Sequence, residues 1–132
     1  MSYRVLIVDD SAVMRRMVKR ALTISGMPID PVLEASNGQE ALDILQKNWI
    51  DIVFADINMP IMSGAELLSI MKKDPSLSAT PIVIVSSEHS DKRIQEMKEL
   101  GACAFLVKPF RPETIKDVFC KVLHPGKETH DE

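Results

Sequence analysis

Six side chains able to do chemistry stand just beyond short apolar runs. Asp9 and Asp10 follow residues 4–8, Asp56 follows 50–55, Ser86 and Ser87 follow 82–85, and Lys108 follows 104–107. Three carboxylates drawn into one crevice repel and raise one another's pKa. A hard divalent cation relieves that repulsion. Magnesium prefers oxygen ligands, keeps several waters, and is usually held by one or two carboxylates together with phosphate oxygens. A hydroxyl and an ammonium beside such a site are the groups that would grip the remaining oxygens of a bound phosphoryl group. Singly, each has an ordinary explanation: an acid at a strand end is commonly a solvated loop residue or a helix cap, and a strand-end lysine commonly snorkels. Their joint occurrence at the ends of separate strands is the signal.

The elements that must position them alternate along the chain. Apolar runs at 4–8, 31–34, 50–55, 82–85 and 104–107 read as strands, four of them nearly continuous, as in a parallel sheet covered on both faces. The weaker run at 31–34 is expected at an edge. Helical periodicity fills the gaps. In 12–25, Val13, Met17, Val18, Ala21 and Leu22 are expected to face inward, with Gly26 as the stop. The second helix covers 38–47, with Ala41, Leu42 and Leu45 inward. Ser63 and Glu66 form a capping-box pattern ahead of Leu67, Leu68 and Met71. Ser90 caps a fourth helix over 91–100, with Ile94, Met97 and Leu100 inward and Gly101 ending it. Pro112 opens the fifth, which carries Ile115, Val118, Phe119 and Val122. The pattern is α/β, (βα)5, a doubly wound parallel five-stranded sheet. Strand order 2-1-3-4-5 is chosen because it gathers the ends of strands 1, 3 and 4, where ligands bind in such sheets. Lys108 precedes Pro109, which keeps it out of helical conformation.

The chain of 132 residues is the length of one domain. Its net charge of −3 argues against a surface built for nucleic acid or anionic membrane. No apolar stretch approaches the roughly 20 residues of a membrane span, and the N-terminus has no leader pattern. Cys103 and Cys120 lie outside any CxxC and are expected to pack as reduced, small apolar residues, which suits the cytoplasm. His89, His124 and His130 are too scattered for a metal site. Met14, Met17, Met59, Met62, Met71 and Met97 read as core or loop packing, and Trp49 is expected to pack ahead of strand 3.

Four segments in order, VLIVDD, DINMPIMSG, IVIVSSE and FLVKPF, resemble the receiver domains of two-component response regulators. The resemblance covers roughly residues 4–123. It implies a flavodoxin-like, CheY-like receiver domain over 1–124, a frayed polar tail over 125–132, and no output domain. Asp56 resembles the phosphoacceptor. Asp10 resembles the direct Mg2+ ligand, Asp9 the one acting largely through water, and the Asn58 backbone carbonyl the third protein ligand. Ser86 and Lys108 match the hydroxyl and lysine that bind the phosphoryl group. Phe105 matches the switch aromatic, and Pro60 and Gly64 shape the loop after Asp56. Asn58 and Glu88 occupy the positions that tune dephosphorylation.

That resemblance implies a phosphorylation-activated switch, not an enzyme beyond its own phosphorylation and dephosphorylation. A histidine kinase donates the phosphoryl group, and a change of the helix 4–strand 5–helix 5 face controls a downstream partner. The Asn58/Glu88 pair and VDDSAVMRRMV resemble the chemotaxis branch, which implies a flagellar motor switch as target, a phosphatase, and a monomer. Two departures weigh against that branch: Phe105 stands where Tyr is common, and HSDKR opens helix 4 with mixed charge. A phosphorelay intermediate, a stand-alone regulator of another partner, and an unphosphorylated binding module are the alternatives. An aspartyl phosphatase typically needs a second Asp two residues beyond the nucleophile, and Asn58, which cannot move a proton, is there instead.

Overall fold

A computed structural model describes residues 2–87 and 90–123. Among the described residues ten elements alternate: β1 Tyr3–Val8, α1 Ala12–Ser25, β2 Ile29–Ala35, α2 Gly38–Lys47, β3 Ile52–Asp56, α3 Gly64–Lys73, β4 Ile82–Ser86, α4 Asp91–Glu99, β5 Ala104–Val107 and α5 Pro112–Leu123. All strands are parallel, in the order β2-β1-β3-β4-β5. The expected fold and strand order hold, with β2 at an edge and slightly longer than its apolar run. The polar tail expected over 125–132 lies outside the described residues.

The period-two alternation of each strand divides the core between two helix layers. Val5 and Ile7 of β1, Ile52 and Phe54 of β3, and Val83 and Val85 of β4 pack with Val18, Leu22, Ile115 and Phe119 of α1 and α5. Leu6, Val8, Val53 and Ala55 pack with Leu42, Leu45, Leu67, Leu68 and Met71 of α2 and α3. Ile57, Ile84 and Met97 form a smaller cluster beneath α4. Burying a leucine- or phenylalanine-sized side chain contributes about 1.5–3 kcal/mol, so this two-sided core holds the strand ends in fixed register.

Local chemistry sets the helix starts. Ser11, Asn37, Ser63 and Ser90 each cap a helix, accepting a hydrogen bond from the backbone N–H of Met14, Glu40, Glu66 and Arg93 respectively. The expected capping box is present: the Ser63 hydroxyl accepts from the Glu66 N–H and the Glu66 carboxylate accepts from the Ser63 N–H. Gly26 ends α1 at φ 80°, a left-handed conformation that costs glycine nothing.

Several expected burials are corrected. Val13 and Met17 are exposed, because the buried stripe of α1 is Val18, Ala21 and Leu22 and both lie to one side of it. Leu100, at the C-cap of α4, is partly exposed. Cys103 is exposed on the connection into β5, and Cys120 is half-buried. Trp49 is 73% exposed, its indole N–H donating to Asp51 Oδ1 at 2.9 Å. That bond satisfies the indole on the surface and leaves Ile50 and Ile52 to fill the core. Among the described residues, no helix is long and apolar enough to cross a membrane.

Candidate functional site

The site forms where four neighbouring strands end. Val8 is the register partner of Ala55, so the next residues on β1 and β3 are Asp9 and Asp56. Asp56 in turn pairs with Val85 of β4, and Ser86 with Val107 of β5, one residue short of Lys108. The alternation that buries Val5 and Ile7, Ile52 and Phe54, and Leu106 on the α1/α5 side continues to Asp9, Asp56 and Lys108. Apolar packing thus delivers three ionisable side chains to one rim.

One carboxylate oxygen each from Asp9, Asp10 and Asp56 lie within 4.8 Å of one another. Lys108 Nζ sits 3.3 Å from Asp9 Oδ2 and 3.3 Å from Asp56 Oδ1. The Lys108 and Asp56 side chains are each 15% exposed. Lys108 is joined to Pro109 by a cis peptide bond, and its N–H donates to the Ser86 carbonyl at 2.8 Å.

The two adjacent aspartates differ sharply. Asp9 is buried, and its carboxylate is held from both sides: Oδ1 accepts from the Ser11 N–H at 2.9 Å and Oδ2 from Lys108. Asp10 is exposed. Burial pushes the Asp56 carboxyl above the ordinary carboxylate range; the Lys108 charge opposes this and the Asp9 charge adds to it.

The loop from Asp56 to α3 is tightly constrained. The Gly64 N–H donates to the Ile57 carbonyl at 2.7 Å, and a Cβ at Gly64 would run into the Asp56 carbonyl oxygen. The Met62 N–H donates to the Pro60 carbonyl at 2.6 Å, making a γ-turn about Ile61, a β-branched residue at φ 68° with 80% exposure. Asn58 lies exposed in the same loop.

The structure therefore brings together Asp9, Asp10, Asp56 and Lys108, with Ser86 buried at the end of the neighbouring strand. Phe105 stands apart, half-buried on β5 against Ile57, Ile84 and Met97. Glu88 lies outside the described residues. Sequence reasoning missed two contributors. Ser11 was legible as an N-cap ahead of α1. Arg15, which donates to the Asp9 carbonyl, sits off the apolar stripe, and nothing in its spacing set it apart.

The donor set suits a magnesium ion: its side-chain ligands are hard carboxylate oxygens, and Asp10 opens to water. Asp9, Asp10 and Asp56 are the side chains that would hold it.

Comparison with known proteins agrees with this fold. The family model described as "Response regulator receiver domain" matches residues 5–119. A chemotaxis protein CheY homolog of Campylobacter jejuni is 37% identical over 124 residues, covering 93% of this chain and 94% of that protein. Chemotaxis protein CheY-3 of Vibrio cholerae is 36% identical over 119 residues, covering 90% of each. The solved structure of Vibrio cholerae chemotaxis protein CheY4 superposes with a TM-score of 0.83 at 38% identity, covering 93% of this chain and all of that one. The chain belongs to the response regulator receiver domain family, among its CheY-like members, which are signalling switches rather than classical enzymes.

Proposed function

We propose that the chain is switched by phosphorylation of Asp56, the phosphoryl group coming from a phosphohistidine on a sensor histidine kinase. The observation that carries this reading is the convergence of Asp9, Asp10 and Asp56 around Lys108. An Asp56 carboxylate oxygen attacks phosphorus; the new O–P bond forms as the N–P bond to the imidazole breaks. A bound magnesium ion would neutralise charge gathering on the phosphoryl oxygens, and the Asn58 backbone carbonyl is its expected third protein ligand. Lys108, which bridges two carboxylates in the unmodified protein, turns to a phosphoryl oxygen, and the Ser86 hydroxyl takes another. Asp9 stays anchored on the Ser11 N–H.

Ser86 lies two residues beyond Ile84, on the same face of β4, and Ile84 is the register partner of Phe105. Movement of Ser86 towards the phosphoryl group leaves room for Phe105 to turn inward and reshape the α4–β5–α5 face. The size of this population shift is bounded by the extra contacts the phosphoryl group makes in the switched state. Asn58 and Glu88, two residues beyond Asp56 and Ser86 in the sequence, set the rate of dephosphorylation.

The identities with two chemotaxis proteins support a role in chemotaxis. In that role a flagellar motor switch is the downstream partner, a phosphatase resets the signal, and the protein acts as a cytoplasmic monomer over residues 1–124, touching neither nucleic acid nor membrane. Incubation with acetyl phosphate and magnesium, followed by intact-mass measurement, tests the reading. One phosphoryl group per chain is expected, lost in Asp56→Asn. No mass increase in the wild type would leave a receiver-fold binding module instead. Capture of a non-motor partner by the phosphorylated form alone would favour a relay or stand-alone regulator.

A further inference from the structure

Asp9 and Asp10 are neighbours in the chain that end in opposite environments: Asp9 is 4% exposed and turned onto Lys108, while Asp10 faces solvent. The peptide unit between them is planar, so the Asp9 carbonyl and the Asp10 N–H turn as one body. Arg15 Nη1 donates to that carbonyl oxygen at 2.6 Å. The same guanidinium donates from Nε to Glu34 Oε1 on β2 at 2.8 Å, and the Arg15 side chain is only 18% exposed. The Asp9 N–H donates to the carbonyl of Ala35, the residue after Glu34, at 3.1 Å. The turn carrying both acids is thus tied to the edge strand at two points, and one tie runs through Arg15. A planar guanidinium can hold two acceptors in fixed geometry, which a lysine ammonium on a flexible stem does not do.

We propose that Arg15, itself held by Glu34, is a positioning residue that sets the Asp9–Asp10 peptide plane and thereby aims Asp10 at a divalent cation in the crevice. The inference rests on the reading of the acidic crevice as a magnesium site. Arg15 touches neither the cation nor the phosphoryl group; it acts through the backbone of the residues that do.

Calorimetric magnesium titration of the wild type, Arg15→Ala, Arg15→Lys and Glu34→Ala tests it, together with the Asp10 amide resonance in magnesium-free protein. Loss of a supporting contact of this kind typically weakens metal binding about 10-fold or more. That weakening is expected in Arg15→Ala, with a displaced Asp10 amide and with phosphoryl uptake recovering at saturating magnesium. Arg15→Lys keeps the charge and the stem but is expected to restore little of the affinity. Arg15→Ala combined with Glu34→Ala is expected to be no worse than Arg15→Ala alone, because both act through one contact. Arg15→Lys and Glu34→Ala that match the wild type in magnesium affinity and Asp10 resonance would overturn the proposal, whatever their melting temperatures, and they remain decisive if Arg15→Ala does not fold. A wild type that takes up neither magnesium nor phosphoryl overturns the crevice reading itself, and the role of Arg15 with it.

Discussion

Lys108 Nζ lies 3.3 Å from Asp56 Oδ1 although 52 residues separate them in the chain. The same ammonium reaches Asp9, 99 residues away, at 3.3 Å. One cation therefore spans two carboxylates delivered by different strands. It partly neutralises the crevice and competes for the oxygens that a divalent metal would use.

The first consequence concerns pH. The Asp56 carboxyl is raised above its ordinary value of 3.8, chiefly by burial, with Lys108 opposing and Asp9 adding to the rise. The folded protein thus holds that proton more tightly than the unfolded chain. This contribution to stability is full below 3.8 and is lost as pH rises through the folded value. In magnesium-free buffer at neutral pH, Asp56→Asn is expected to melt above the wild type, with the gap narrowing as pH falls towards about 4. Thermal melts across that range check it; a variant that melts lower at neutral pH contradicts the assignment of burial as the dominant cause.

Removing the bridging cation has two opposite effects. Among the described residues, Lys108→Met leaves the buried Asp9 carboxylate with the Ser11 N–H alone, and losing a hydrogen bond to a charged group costs about 1.5–3 kcal/mol. Magnesium can supply the missing charge, so affinity for the ion is expected to rise and most of the lost stability to return at saturation. Denaturant titrations with chelator and with magnesium read both. An equal loss in the two buffers would show that the lysine does not compete with the metal.

Much of this arrangement is legible in the amino-acid sequence. The apolar runs end at Asp9, Asp56, Ser86 and Lys108 because a buried parallel strand must stop where side chains first meet water, and ligand chemistry occupies that boundary. The order of the strands follows from gathering those ends. What stayed hidden depends on direction within a single turn. Val13 and Met17 satisfy the helical period yet lie beside the buried stripe, because neighbouring α5 fixes the rotation of α1. The opposite fates of Asp9 and Asp10 depend on a peptide plane held by Arg15, a long-range contact that no local pattern encodes. Trp49, the largest side chain, is exposed because Asp51 satisfies its N–H at the surface.

Gly64 sits where no side chain fits. A methyl group there would collide with the Asp56 carbonyl, which is backbone and cannot swing aside. Gly64→Ala is expected to destabilise the fold by about 3 kcal/mol or more, at the severe end for one substitution. A midpoint within experimental error of the wild type would mean that the loop after Asp56 relaxes freely.

Ile61 offers the opposite case. Its positive φ at the centre of the γ-turn costs a β-branched residue about 1–3 kcal/mol, and the residue is 80% exposed, so little packing offsets the strain. Ile61→Gly is expected to raise stability by about 1 kcal/mol, measured as a shifted denaturation midpoint with an unchanged slope. A lowered midpoint would show that the isoleucine makes contacts worth more than its strain.

Residue-resolved magnesium titration by NMR addresses the crevice most directly. A saturable, single-site response is expected, largest at Asp9 to Ser11, Asp56 to Asn58 and Lys108, and abolished in Asp56→Asn. Small shifts spread evenly over the surface and rising without saturation would contradict a site built from those strand ends.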